Sequence, residues 1–145
     1  AEGDARAREL LTPTRIYAAA LMPLIRKRLV KGLAHITGSG FLNVPRMSEK
    51  VSYRIRLPRE NEAPAVYSWI REKSGLSLSE LAQTFNMGIG MVAAVDAKKS
   101  AAVLSALKRS GEKAWVIGEV TRRAAKRPSE VTVESEGGER AVLVY

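Results

Sequence analysis

Val51-Ser52-Tyr53-Arg54-Ile55-Arg56-Leu57 alternates apolar and polar side chains at every step. A period of two puts Val51, Tyr53, Ile55 and Leu57 on one face and the serine and arginines on the other, as a half-buried strand requires. Pro58 ends it, since proline cannot donate to a ladder bond. Towards the C-terminus, a helix from about Pro64 to Lys73 carries Val66, Trp69 and Ile70 on one face. Ser77-Leu78-Ser79-Glu80 is a capping box, which starts another helix running to about Phe85. Met91 to Val95 is an apolar run short enough for a buried strand. Asp96 caps a helix through about Lys108, with Ala97, Ala101, Leu104 and Leu107 inward, and Gly111 ends it. A strand over Ala114 to Arg122 follows. Val131 and Val133 then pair with Ala141 to Val144 in a hairpin turning at Gly137-Gly138.

Towards the N-terminus, Thr12-Pro13 reads as the opening of a helix, with threonine as N-cap and proline where a missing N–H costs nothing. Tyr17, Ala20, Leu21, Leu24 and Ile25 recur at helical spacing, and Pro23 should kink the helix. Gly32 follows, then a short strand from Leu33 to Thr37 that stops at Gly38-Ser39-Gly40. Helices and strands mix without strict βαβ alternation. The expected fold is therefore α+β (or α/β), a mixed-direction sheet flanked by helices, in one domain over residues 1–145.

Apolar residues make up 46% of the 145, enough for a core that buries roughly 70% of the unfolded surface. Cysteine is absent and His35 is the single histidine, which excludes disulfides, thiolate metal sites and multi-histidine metal sites. No apolar run is long enough to cross a membrane, and the N-terminus lacks the apolar centre of a secretory signal. These features fit a cytoplasmic protein. The formal net charge of +9 suits an anionic partner or simply a solvated basic surface. Arg26, Lys27, Arg28 and Lys31 cluster at one helix end, and Lys108, Arg109 and Lys113 at another, where cations complement the helix dipole. Arg122, Arg123, Lys126 and Arg127 lie in the exposed, proline-broken stretch from Thr121 to Pro128.

Two stretches carry candidate chemistry. Ala34-His35-Ile36-Thr37-Gly38-Ser39-Gly40-Phe41 ends a strand in a glycine-rich turn whose backbone N–H groups suit an oxyanion, with Thr37 and Ser39 hydroxyls beside them. Arg46, in Asn43-Val44-Pro45-Arg46, can add a bidentate contact. The plain alternative is a turn that uses glycine for positive φ. His35 suits general acid–base work, against the alternative of a buried histidine bonded to backbone. In Thr84-Phe85-Asn86-Met87-Gly88-Ile89-Gly90-Met91, the string from Gly88 to Ala93 matches G-x-G-x-x-A. Here it leaves a helix and enters a strand, the reverse of the dinucleotide arrangement. Asn86 either reaches a ligand or closes its own turn. There is no Walker phosphate loop, no evident pair of catalytic carboxylates and no nucleophile elbow.

Leu11-Thr12-Pro13-Thr14-Arg15-Ile16-Tyr17, Ala34-His35-Ile36-Thr37-Gly38, Pro45-Arg46, Thr84-Phe85-Asn86 with Gly88-Ile89-Gly90-Met91, and Gly111 to Gly118 occur in an order that resembles the C-terminal half of aminoimidazole ribonucleotide synthetase, the phosphoribosylformylglycinamidine cyclo-ligase. Formylglycinamidine ribonucleotide amidotransferase, selenophosphate synthetase and thiamine-monophosphate kinase belong to the same wider superfamily. The resemblance implies a purine-biosynthesis ligase that closes formylglycinamidine ribonucleotide to aminoimidazole ribonucleotide with ATP. It implies that ATP and Mg²⁺ are bound mainly by a separate N-terminal domain, which also makes the homodimer. None is then expected in this chain. The C-terminal domain would cover the cleft and hold the phosphorylated substrate through Thr37, Gly38, Ser39, Gly40 and Arg46, with His35 (catalytic) and Asn86 lining it.

The chain departs from the family pattern in three places. Ser39 replaces the middle of three glycines, which requires negative φ there. A glutamate usual before Asn43 is missing, and Met87 stands where cysteine is common. The resemblance begins a few residues into the chain, as in an excised domain, and implies a fragment that folds without turning over substrate. The rival reading is a basic nucleic-acid-binding module, though no aromatics interleave with its basic groups as a stacking platform needs. A sibling superfamily enzyme is the third reading. The expected partners are a phosphorylated small molecule and the N-terminal domain, with no nucleic acid and no membrane.

Overall fold

The computed structural model describes residues 8–59 and 61–145. Most of the N-terminal stretch that was expected to carry no secretory signal lies outside them. The elements are α1 (Ala18–Arg26), β1 (Val30–His35), a 3-10 helix (Gly40–Met47), β2 (Val51–Arg56), α2 (Ala65–Ser74), α3 (Leu78–Thr84), β3 (Met91–Val95), α4 (Ser100–Arg109), β4 (Gly118–Arg122), β5 (Glu130–Glu134) and β6 (Arg140–Val144).

The expected mixed-direction sheet is present, in the order β4-β2-β5-β6. The alternating strand β2 lies inside it, antiparallel to β4 and parallel to β5. A parallel pair needs a long crossover, and everything from Leu57 to Ser129 supplies it. On the inner face Tyr53, Ile55, Val131, Val133, Ala141 and Leu143 pack on Phe41, Val44, Leu78 and Ala82. The outer face carries Arg54 opposite Glu119, an exposed ion pair, and Arg140 opposite Glu134, a pair whose carboxylate is partly buried.

A separate ribbon pairs β1 with β3, antiparallel. Its alternation serves two cores at once. Ala34 and Val92 join the core of the large sheet, while Leu33 and Met91 pack on a second core of Leu21, Leu24 and Val103. The ribbon is thus the wall between the cores, which is why β3, Met91–Val95, reads as a continuous apolar run.

Several boundaries differ from the sequence reading. The first helix starts at Ala18, not Thr12-Pro13. Thr12 closes the turn before it instead, donating its N–H to the Glu9 carbonyl and its hydroxyl to the Arg8 carbonyl. The helix runs through the exposed Pro23 to Arg26. β1 covers Val30 to His35 rather than Leu33 to Thr37; past its end the Ile36 N–H still bonds the Gly90 carbonyl, and the Thr37 N–H bonds Asn43 instead. The 3-10 helix after Gly38-Ser39 went unread. In the helix after Asp96, Val103 is buried while Ala97 and Ala101 are exposed. The helix opens with a 3-10 turn at Ala97–Lys99, and the expected inward Leu104 and Leu107 are partly buried. The strand expected from Ala114 begins only at Gly118. Ahead of it, the Arg56 N–H bonds the Ile117 carbonyl and β2 then ends. The capping box and the C-terminal hairpin form as read, with Val131 opposite Leu143 and Val133 opposite Ala141.

Candidate functional site

β1 and α3 deliver the two unusual stretches to the same place. The Ile36 N–H donates to the Gly90 carbonyl at 2.9 Å, which ties the end of β1 to the loop before β3. Gly40 has φ +51 and backs onto α3, where a Cβ would collide with the Ala82 carbonyl oxygen. Tyr17 completes the cluster. Its ring meets the His35 ring edge-on, with centroids 5.8 Å apart, and its hydroxyl occupies the space a side chain on Gly90 would need. Burial pushes the Tyr17 hydroxyl above its ordinary pKa, and the Arg15 guanidinium opposes that shift. The phenol therefore stays protonated at neutral pH. His35 is exposed, unlike the buried histidine considered as its plain alternative.

The glycine turn has a defined hydrogen-bond economy. The Gly40 N–H donates to the Thr37 carbonyl at 2.8 Å and the Leu42 N–H to the Ser39 carbonyl at 3.1 Å. Asn43 Oδ1 accepts the Thr37 N–H at 2.8 Å and the Thr37 hydroxyl at 3.3 Å. Among the described residues, the N–H groups of Gly38 and Ser39 are left without a protein acceptor. Those two donors, rather than the Thr37 hydroxyl, are what the turn offers to an anion. Ser39 has φ −110, so serine stands there without strain. Arg46 is exposed on the 3-10 helix, and among the described residues it has no ion-pair partner.

Asn86 closes its own turn. Its Oδ1 accepts the Gly88 N–H at 2.9 Å and the Tyr67 hydroxyl at 2.6 Å. Burial raises the Tyr67 pKa, which keeps it a donor. Met87 and Gly88 both take positive φ, the tight approach expected of a helix-to-strand turn. Sequence reasoning missed Asn43 as a site residue. It is 2% exposed, holds Thr37 in place, and has an Nδ2 with no partner. An asparagine followed by proline two residues on reads as a turn, and only tertiary burial reveals its bonding role.

A groove of about 810 Å³ opens beside this cluster. Tyr17 and Gly88–Gly90 line it, as do β3, α4 and the inner-face residues Tyr53, Ile55 and Val120. The Thr37–Gly40 turn and Arg46 lie outside it. Among the described residues there is no group of three or more histidine, aspartate or glutamate side chains able to hold a metal ion, and no helix is long and apolar enough to cross a membrane.

The family model described as AIR synthase related protein, C-terminal domain, matches residues 1–129. The chain belongs to this family. The β5–β6 hairpin lies past the matched residues, yet it supplies Val131, Val133 and Leu143 to the core of this AIR synthase-type domain. The chain is 44% identical over 90% of its length to a phosphoribosylformylglycinamidine cyclo-ligase of Shouchella clausii, of which it covers 36%. It is 40% identical over 86% of its length to the cyclo-ligase of Trichlorobacter lovleyi, again covering 36%. Against the human trifunctional purine biosynthetic protein adenosine-3 the figures are 42% over 82%, with 12% of that protein covered. The chain thus spans about a third of the cyclo-ligases and far less of the trifunctional protein. A chain in the crystal structure of a HypE–HypF complex shares the fold, with a TM-score of 0.61, 20% identity, and coverage of 96% of this chain and 47% of that one.

Proposed function

We propose that this domain is the substrate-binding part of a phosphoribosylformylglycinamidine cyclo-ligase, which closes formylglycinamidine ribonucleotide to aminoimidazole ribonucleotide with ATP. The observation that carries the reading is the 44% identity to the Shouchella clausii cyclo-ligase, maintained over 90% of the chain. In this reading ATP and Mg²⁺ are held mainly by the rest of the longer chain, which also makes the homodimer. The domain works in the cytoplasm, grips the substrate phosphate and closes the cleft, and alone it does not turn over.

Gly38 and Ser39 direct their unpaired N–H groups at the phosphate, as such turns do. Asn43 fixes the turn through Thr37, the Gly40 conformation seats it on α3, and Arg46 supplies positive charge from the neighbouring helix. His35, exposed and edge-on to Tyr17, would move a proton at the reacting end of the substrate. Asn86 would act indirectly, by holding the turn at Gly88, which lines the groove.

Titration of the chain with inorganic phosphate, followed by amide NMR, tests the grip. Saturable shifts centred on Gly38 and Ser39 are expected, together with their loss in Gly38→Val and Arg46→Ala. The site around Gly38 is open, with nothing within 4 Å of an added Cβ, so Gly38→Val perturbs ligand space rather than packing. Salt-sensitive binding of a random oligonucleotide that both variants leave intact would instead favour the nucleic-acid module. The charge of +9 is the observation that keeps that second reading in play.

A further inference from the structure

Helix α1 reads Ala18-Ala19-Ala20-Leu21-Met22-Pro23-Leu24-Ile25-Arg26, with no polar side chain before its last residue. A helix that is apolar on all sides needs cover on all sides. This chain covers one side: Ala20, Leu21 and Leu24 are buried, with Leu21 and Leu24 against Val103. On the other side Ala18, Met22 and Ile25 follow one another at i, i+4 and i+7, all exposed. Ile16, just ahead of the helix, is 84% exposed. It is held there by anchored neighbours, since Arg15 Nε lies 3.0 Å from Glu112 Oε2 and Tyr17 packs on His35. Arg26, Lys27 and Arg28 rim the far end of the stripe, and among the described residues none of the three has an ion-pair partner.

We propose that the Ile16–Met22–Ile25 face docks onto an apolar, acid-rimmed protein surface supplied by the remainder of the longer chain. The identity of that remainder rests on the cyclo-ligase reading; the need for cover does not. Three observations choose this occupant. The relatives carry this stretch as about a third of a longer polypeptide, so a second surface is always tethered nearby. The basic rim calls for acidic side chains opposite it. A second copy, itself at +9, would bring the same cations to the same rim.

The test compares the chain on its own with a full-length chimera in which it replaces its matching third of the Shouchella clausii cyclo-ligase. The same replacement in the Trichlorobacter lovleyi protein is made alongside, so that one misfolded chimera leaves the question decidable. Hydroxyl-radical footprinting reads Met22 directly. Its oxidation is expected to slow about tenfold in the chimera, as for a side chain entering an interface core, while Tyr145 reacts equally in both. Ile25→Asp should lower the melting temperature of the chimera and leave that of the chain alone unchanged; Val142→Asp, also exposed but on the sheet's outer face, should change neither. Equal Met22 oxidation in a folded chimera overturns the proposal. So does protection of Met22 when the chain alone sediments as a dimer or binds phosphatidylserine vesicles, because the occupant is then a second copy or a bilayer. Ring closure by the chimera reports separately on the function: activity with Met22 still exposed sinks only the docking face, and protection without activity sinks only the cyclo-ligase reading.

Discussion

Gly38 and Gly40 stand two residues apart in one turn, and substitution at each has a different consequence. Gly40 takes φ +51 and faces the Ala82 carbonyl. The left-handed backbone alone costs a non-glycine residue about 1–3 kcal/mol, and the collision adds to it, so Gly40→Ala should lower stability by at least that much in urea denaturation. Gly38→Ala enters open space and should stay within about 0.5 kcal/mol of the unmodified chain. Equal losses at both positions would mean the turn is not seated on α3 as described. Asn43→Ala removes a buried side chain and the acceptor of the part-buried Thr37 N–H and should cost about 1–3 kcal/mol, with amide exchange at Thr37 accelerated more than at Val133. The glycine turn was legible because glycine and its spacing are local features. The Asn43 contacts were not, because they exist only once the 3-10 helix folds back on β1.

At the scale of elements, the capping box shows what local chemistry settles unaided. The Ser77 N–H donates to Glu80 Oε2 at 2.8 Å and the Glu80 N–H to Ser77 Oγ at 3.3 Å. The Ser77 hydroxyl holds the Glu80 carboxyl below its ordinary value of 4.5. A folded-state pKa depressed in this way contributes stability above the unfolded value and loses it as pH falls through the folded one. The stability gap between the unmodified chain and Glu80→Ala should therefore narrow as pH drops from 7 to 3. A gap that widens over that range would contradict the capping geometry. Helix α4 shows the opposite case. Of its four expected inward residues Leu104 and Leu107 are partly buried, but Ala97 and Ala101 are exposed and the buried position is Val103, which packs on Leu21 and Leu24 of α1. Val103→Ala should then cost about 1.5–3 kcal/mol, whereas Ala101→Ser on the exposed side should be nearly silent; chemical denaturation separates the two.

At the scale of the molecule, the sequence pattern predicted a mixed sheet but not its order. The parallel β2–β5 pair joins strands on either side of the whole crossover, and no local periodicity encodes a contact so distant. The two-core arrangement was hidden for the same reason, since β1 and β3 show only as short separate segments until their pairing assigns each face to a core. The candidate cluster was legible in its parts, as His35, Thr37 to Gly40 and Asn86; that Tyr17 joins it through His35 and Gly90 became visible only in three dimensions. Charge separates the whole from its parts as well. Much of the basic charge behind the surplus of +9 lies on helix ends and exposed turns, while the uncovered apolar face lies on α1. The most direct test of the cyclo-ligase reading is ATP-dependent conversion of formylglycinamidine ribonucleotide by the Shouchella clausii chimera carrying this chain. Aminoimidazole ribonucleotide should form, and its formation should be lost in Gly38→Val; a folded chimera that forms none would contradict the account.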